Sequence, residues 1–108
     1  MSILPASTAA SSLAQLVPDE PSGENGCIPL HQFPVMIGRG EDAQFSFEDR
    51  WLSRRHCEID CFDGQLIVRD LGSRHGTYIN DMQVDESPLN INDQLRIGLT
   101  KFTVKSID

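Results

Sequence analysis

The sequence predicts an all-β fold, a sandwich or barrel of about ten to eleven short, mainly antiparallel strands. Three observations carry this. Almost no stretch sets apolar residues at i, i+3, i+4 and i+7, the pattern of a long amphipathic helix. Short apolar runs recur instead between Gly, Pro, Asn and Asp, at the spacing of strands and turns. Asp63-Gly64 divides two such runs and is a strong two-residue hairpin signal, because both turn positions must tolerate positive φ. A chain of 108 residues fits one domain and one core.

Residues 1–11, rich in Ala, Ser and Thr, read as a flexible tail, and 12–108 as the folded domain. Ser12 to Val17 is a first strand ended by Pro18, and the polar run Asp19 to Gly26 is a loop. Cys27 to His31 and Val35 to Ile37 read as strands separated by Pro34, the second delivering Gly38-Arg39 to a turn. Gln44 to Phe47 alternates as a short strand, and Trp51 and Leu52 are expected to anchor the next loop on the core. His56 to Phe62 and Gln65 to Leu71 form the hairpin around Asp63-Gly64. Thr77 to Ile79 turns at Asn80-Asp81 and pairs back through Gln83-Val84, and Pro88 marks an edge or loop that needs no backbone donor. Leu95 to Ile97 and Phe102 to Ile107 supply the last strands, joined by Gly98 to Lys101.

A composition of 39% hydrophobic and 23% charged residues is that of a globular chain rather than a disordered one. No apolar run reaches the roughly 20 residues of a bilayer span, so no membrane role is expected. The net charge of −7 argues against nucleic-acid binding, which draws its affinity from Lys and Arg. Yet Arg39, Arg50, Arg54, Arg55 and Arg74 crowd into a few loops, and a local positive site on an acidic body suits one phosphate better than a polymer of them. Cys57 and Cys61 stand four apart on one strand, about 13 Å from each other and beyond disulfide reach. With Cys27 they read as reduced core thiols. The N-terminus lacks the basic start and apolar stretch of a signal peptide, so the expected compartment is the cytoplasm.

Gly38-Arg39, Ser53-Arg54-Arg55-His56 and Asp70-Leu71-Gly72-Ser73-Arg74-His75-Gly76-Thr77-Tyr78-Ile79-Asn80 combine hydroxyls, guanidinium groups and glycines beside apolar strands. A phosphate monoester carries about −1.5 to −2 charges and three acceptor oxygens, and these clusters contain the donors it needs. In order and spacing they strongly resemble the forkhead-associated (FHA) family. That resemblance implies a β-sandwich with recognition loops at one end and a phosphothreonine peptide as ligand, downstream of a Ser/Thr kinase. It implies that Arg39 reaches the phosphate, that Ser53 donates to it through hydroxyl and backbone, and that Arg54 can add a second fork. Arg74 and His75 then face the peptide, while Gly38, His56, Gly76, Thr77 and Asn80 hold the loops. Many family members have asparagine where this chain has His75, whose neutral ring offers one donor and one acceptor in a different geometry and whose protonated ring offers only donors. Binding is therefore expected to become pH-sensitive.

Other readings of the same residues are weaker. Ser53, His56 and Asp70 could be gathered into a triad, but a nucleophile needs an oriented base and an oxyanion hole around a cleft, so no enzyme is expected. His31, His56, His75, Cys57 and Cys61 lack zinc-ligand spacing, and Gly38-Arg39-Gly40 is neither a Walker loop nor a dinucleotide fingerprint. No metal or cofactor is expected. Two alternatives to a monomeric phosphopeptide reader stay open: an assembly module indifferent to phosphorylation, and a self-regulated adaptor whose pocket takes its own tail phosphorylated at Thr8.

Overall fold

The computed structural model describes residues 14–20 and 26–107. The expected tail, with Thr8, and the start of the first strand at Ser12 lie outside the described residues. Ten strands are described: β1 (Ala14–Pro18), β2 (Ile28–Leu30), β3 (Val35–Ile37), β4 (Cys57–Phe62), β5 (Gln65–Asp70), β6 (Thr77–Ile79), β7 (Met82–Val84), β8 (Glu86–Leu89), β9 (Gln94–Ile97) and β10 (Thr100–Ser106). They form a six-stranded sheet in the order β2-β1-β10-β9-β6-β7 and a four-stranded sheet in the order β3-β4-β5-β8. Every strand pairing is antiparallel.

Period-two alternation makes this a sandwich. Leu16, Leu30, Leu95, Ile97, Phe102 and Val104 from one sheet and Val35, Ile37, Ile59, Val68 and Leu89 from the other are at most 1% exposed. Burying each such side chain contributes about 1.5 to 3 kcal/mol, which a one-residue slip in register would forfeit by turning the whole set to solvent. The hairpin at Asp63-Gly64 forms as expected, with φ of 54° and 79° and Phe62 paired to Gln65. Asn80 and Asp81, with φ of 48° and 71°, close the β6–β7 hairpin in the same way. Pro88 pairs with Ile67 in β8, an outer strand of the four-stranded sheet, where a missing donor is harmless.

Several expectations are corrected. Gln44 to Phe47 is not a strand: Phe45 makes one parallel bridge to Ile37, and the Gln44 and Phe45 amides both donate to the Met36 carbonyl. The alternation there serves packing, since Phe45 and Phe47 lie half-buried against the core and Phe47 meets Phe102 edge-to-face at 5.3 Å. β10 begins at Thr100, two residues early, because Thr100 pairs with Ile97 across a tight turn. Of the pair expected to anchor the loop, Leu52 does so at 1% exposure, while Trp51 stays 37% exposed. Cys57 is a buried thiol, but Cys61 is only half-buried and Cys27 is exposed; all three are free. Burial also pushes the Cys57 thiol far above its ordinary pKa, so it is inert. Among the described residues no helix is long and apolar enough to cross a membrane.

Candidate phosphate-binding loops at one end of the sandwich

Strand direction gathers three connections at one end. β3 leads into the long segment from Gly38 to His56, β5 crosses to the other sheet through residues 71–76, and β9 meets β10 at Gly98-Leu99. The first two are stitched together by backbone: Arg39 N donates to Ser53 O at 3.0 Å, Gly40 N to Arg54 O at 3.0 Å and Leu71 N to His56 O at 2.9 Å. Gly38 is required by this closeness, because a Cβ there would stand 2.1 Å from the Arg54 carbonyl oxygen.

His56 is the brace. It is fully buried, its Nδ1 accepts from the Ser53 amide at 3.1 Å, and its Nε2 lies 2.9 Å from the Gly76 carbonyl. Those partners fix the tautomer with the proton on Nε2. Burial lowers its pKa, with the Gly76 carbonyl pulling weakly the other way, so the ring is held neutral. The bond to Ser53 also corrects an expectation, because the Ser53 amide is committed to His56 and is not available to a ligand.

Asp70 knots the second loop. One carboxylate oxygen accepts from the Gly72 and Ser73 amides at 3.0 Å each, and the other from Ser73 Oγ at 2.5 Å and Thr77 Oγ1 at 2.7 Å. Burial raises its pKa, but these bonds outweigh burial and hold it below the usual carboxylate value. Ser73 Oγ in turn accepts from the Gly76 amide at 2.9 Å. Gly76 has φ of 90°, and a Cβ there would meet Gln83 Nε2 at 2.7 Å. Through its bond to Asp70, Thr77 ties the start of β6 to this loop. Asn80 does not: its side chain bonds Asp93 and the Gln94 amide at the opposite end of β6.

The donors converge on Ser53. Its Oγ accepts from the Arg74 amide at 2.9 Å, which orients the hydroxyl and leaves its hydrogen free to donate. Arg39 Nε donates to Leu52 O at 2.6 Å, so the guanidinium is pinned beside Ser53, and its terminal nitrogens have no hydrogen-bond or ion-pair partner among the described residues. Arg54 and Arg74 are exposed, and neither side chain has an ion pair among the described residues. Arg39, Arg54 and Arg55 line a cavity of about 600 Å³ with Gly40, Glu41 and Asp42, where Arg55 lies 3.9 Å from Asp42. His75 stacks on Trp51, ring centroids 4.3 Å apart and planes 13° from parallel. Among the described residues no group of three His, Cys, Asp or Glu side chains could hold a metal.

Sequence reasoning missed three residues of this end: Asp49, Asp70 as a loop knot, and Trp51 as a ring partner. Asp49 accepts from the Trp51 and Leu99 amides at 2.8 Å each and from Thr100 Oγ1 at 2.6 Å, rooting the Ser53 loop in the β9–β10 turn. Only Asp70 carried a local signal, the Asp-Leu-Gly-Ser turn.

The family model described as FHA domain matches residues 35–98, more than half of the chain and both long loops of this end. The chain belongs to the FHA domain family. The FHA domain-containing protein FhaA of Mycobacterium tuberculosis is 39% identical over 84 residues, covering 77% of this chain and 16% of that protein. The FHA domain-containing protein FhaB of Mycolicibacterium smegmatis is 33% identical over 105 residues, 96% of this chain and 68% of that one. Several curated relatives are thus much longer than this chain, which spans about half their length or less. A solved FHA structure, analysed for phosphothreonine-dependent FHA domain interactions, superposes with a TM-score of 0.78 at 33% identity, over 89% of this chain and 98% of that one. The two-sheet arrangement described above is therefore an FHA β-sandwich.

Proposed function

We propose that this FHA domain, residues 12–108, binds phosphothreonine in partner proteins and acts downstream of a Ser/Thr kinase. The observation that carries the reading is the Ser53 hydroxyl, oriented by the Arg74 amide beside an Arg39 guanidinium that Leu52 O already pins. In this reading Arg39 and Ser53 hold the phosphate and Arg54 adds a second guanidinium, with Arg74 and His75 meeting the peptide on either side. Gly38, His56, Gly76 and Thr77 keep the loops in place. Each charge-assisted hydrogen bond contributes about 1.5 to 3 kcal/mol. Two or three of them give micromolar affinity once ordering costs are subtracted. Loops already braced by His56 and Asp70 lose little further freedom on binding.

A preference for threonine over serine comes from a pocket for the γ-methyl between the loops of Ser53 and His75; one methyl contributes about 1 to 3 kcal/mol. The protein is a cytoplasmic, monomeric recognition module and forms no covalent intermediate. The phosphothreonine-dependent interactions of a similar FHA domain support the ligand class.

Fluorescence polarisation with a degenerate phosphothreonine library, its phosphoserine and unphosphorylated counterparts, and the Arg39→Ala protein tests this. Micromolar binding that needs both phosphate and Arg39 is the expected result, with Arg39→Ala weakening it more than about tenfold while the protein stays folded, less stable by no more than the one bond to Leu52 O that it loses. Partner binding by the folded protein that is indifferent to phosphate and to Arg39→Ala would instead identify an assembly module.

A further inference from the structure

We propose that Trp51 is a positioning residue for peptide recognition: it clamps the face of His75 and thereby aims that ring's nitrogens at the main chain of the bound peptide. The proposal rests on the phosphothreonine reading above and adds a residue to it. Trp51 is the sole tryptophan of the chain, and it stands 37% exposed although the next residue, Leu52, is in the core at 1%. Its backbone is fixed from both sides, by Leu52 and by the bond from its amide to Asp49 at 2.8 Å. The indole gains little from core burial. It stacks instead on a ring from the other recognition loop, at 4.3 Å and 13°.

On the His75 side the neighbouring backbone is equally fixed. The Arg74 amide is held by Ser53 Oγ, and the Gly76 amide and carbonyl by Ser73 and His56. The His75 ring itself has no hydrogen-bond or ion-pair partner among the described residues, so the indole is what restrains its plane. Stacking engages the face of an imidazole and leaves both nitrogens, which lie in the ring plane, open at the edge. An asparagine at this position would have no flat face of that size to clamp. The paired rings therefore let a histidine present a fixed polar edge beside the phosphothreonine, while the two loops themselves are joined by the Arg74 amide to Ser53 Oγ and by their backbone bonds.

The test is a double-mutant cycle on the full chain with one phosphothreonine peptide, using wild type, Trp51→Leu, His75→Ala and the double variant, with Trp51→Phe as rescue. Trp51→Leu should weaken peptide binding about two- to tenfold, the equivalent of one aromatic pair. Trp51→Phe should recover most of that loss. In the His75→Ala background Trp51→Leu should add nothing, and the affinity for free phosphothreonine amino acid should not respond to Trp51→Leu. The His75 ring protons should be displaced upfield in the wild-type NMR spectrum and return toward solvent values in Trp51→Leu. Equal losses in both backgrounds, or an equal loss for the free amino acid, would overturn the proposal, as would an unshifted His75 ring. A wild type that binds no phosphopeptide while its His75 ring is upfield-shifted would instead sink the phosphothreonine reading, and this proposal with it. Trp51→Gln repeats the cycle should Trp51→Leu not fold.

Discussion

At the end of the sandwich that carries Asp63-Gly64 and Asn80-Asp81, each hairpin connection is two residues long and closes through positive φ at those residues. At the other end the chain between β3 and β4 runs from Gly38 to His56, and the crossing from β5 to β6 takes residues 71–76. No local turn rule closes such spans. They are held by three polar side chains, His56, Asp70 and Asp49, whose partners lie up to 51 positions away. The two far-end hairpins are closed by backbone conformation alone; the two long recognition loops need side-chain braces as well as their backbone stitches. Long loops leave donors such as Ser53 Oγ and the Arg39 guanidinium on the surface, and the buried braces keep those donors from collapsing or wandering.

Three substitutions probe that contrast, the largest effect first. Gly38→Ala drives a Cβ to 2.1 Å from the Arg54 carbonyl oxygen, a backbone atom that cannot swing aside. It should destabilise the protein by roughly 2 kcal/mol or more and abolish measurable phosphopeptide binding, read by urea unfolding and fluorescence polarisation. A protein of unchanged stability that still bound would break the claim that the loops are stitched at this point.

The acid response should also belong to the recognition end. His56 has a folded pKa below its ordinary 6.5, so the unfolded chain takes up a proton that the native state refuses. Its contribution is complete above about pH 6.5 and is lost progressively as the pH falls toward the folded value. Asp70 follows in a lower window: its folded pKa lies below the ordinary 3.8, so its contribution persists above that value and disappears as the pH drops through the folded one. Urea midpoints should therefore decline between pH 7.5 and 5.0 in the wild type. His56→Gln should start less stable and show a flatter profile over that range, and an unchanged slope would remove His56 as the source.

The smallest effect belongs to the far end. A Cβ on Gly64 meets nothing within 4 Å, and only the φ of 79° opposes it. Gly64→Ala should cost about 1 to 2 kcal/mol and leave phosphopeptide affinity within experimental error. A change in affinity would mean that the two ends are coupled through the hairpin.

The legibility of the sequence follows the same division. The hairpins were readable because Asp63-Gly64 and Asn80-Asp81 announce themselves to their immediate neighbours, and the core because alternation is a property of adjacent residues. Arg39 and Ser53 stood out through their resemblance to a family pattern. Gln44 to Phe47 misled, because alternating Phe residues can pack under a loop without a strand partner. Asn80 misled in the opposite sense: its type and position suited a brace, but it lies at the wrong end of β6.

By itself the sequence determined most of the strands, the two-residue turns, the apolar faces and the set of donors available at three loop clusters. These depend on backbone sterics and on contacts within a few positions along the chain. Tertiary structure alone decided that the Arg74 amide would reach Ser53 Oγ across 21 positions, that Asp49 would grip the β9–β10 turn, and that Trp51 would leave the core to cover His75. Such contacts depend on how two sheets stack and in which register their strands pair. That outcome is fixed by the whole core at once, and no local window contains it.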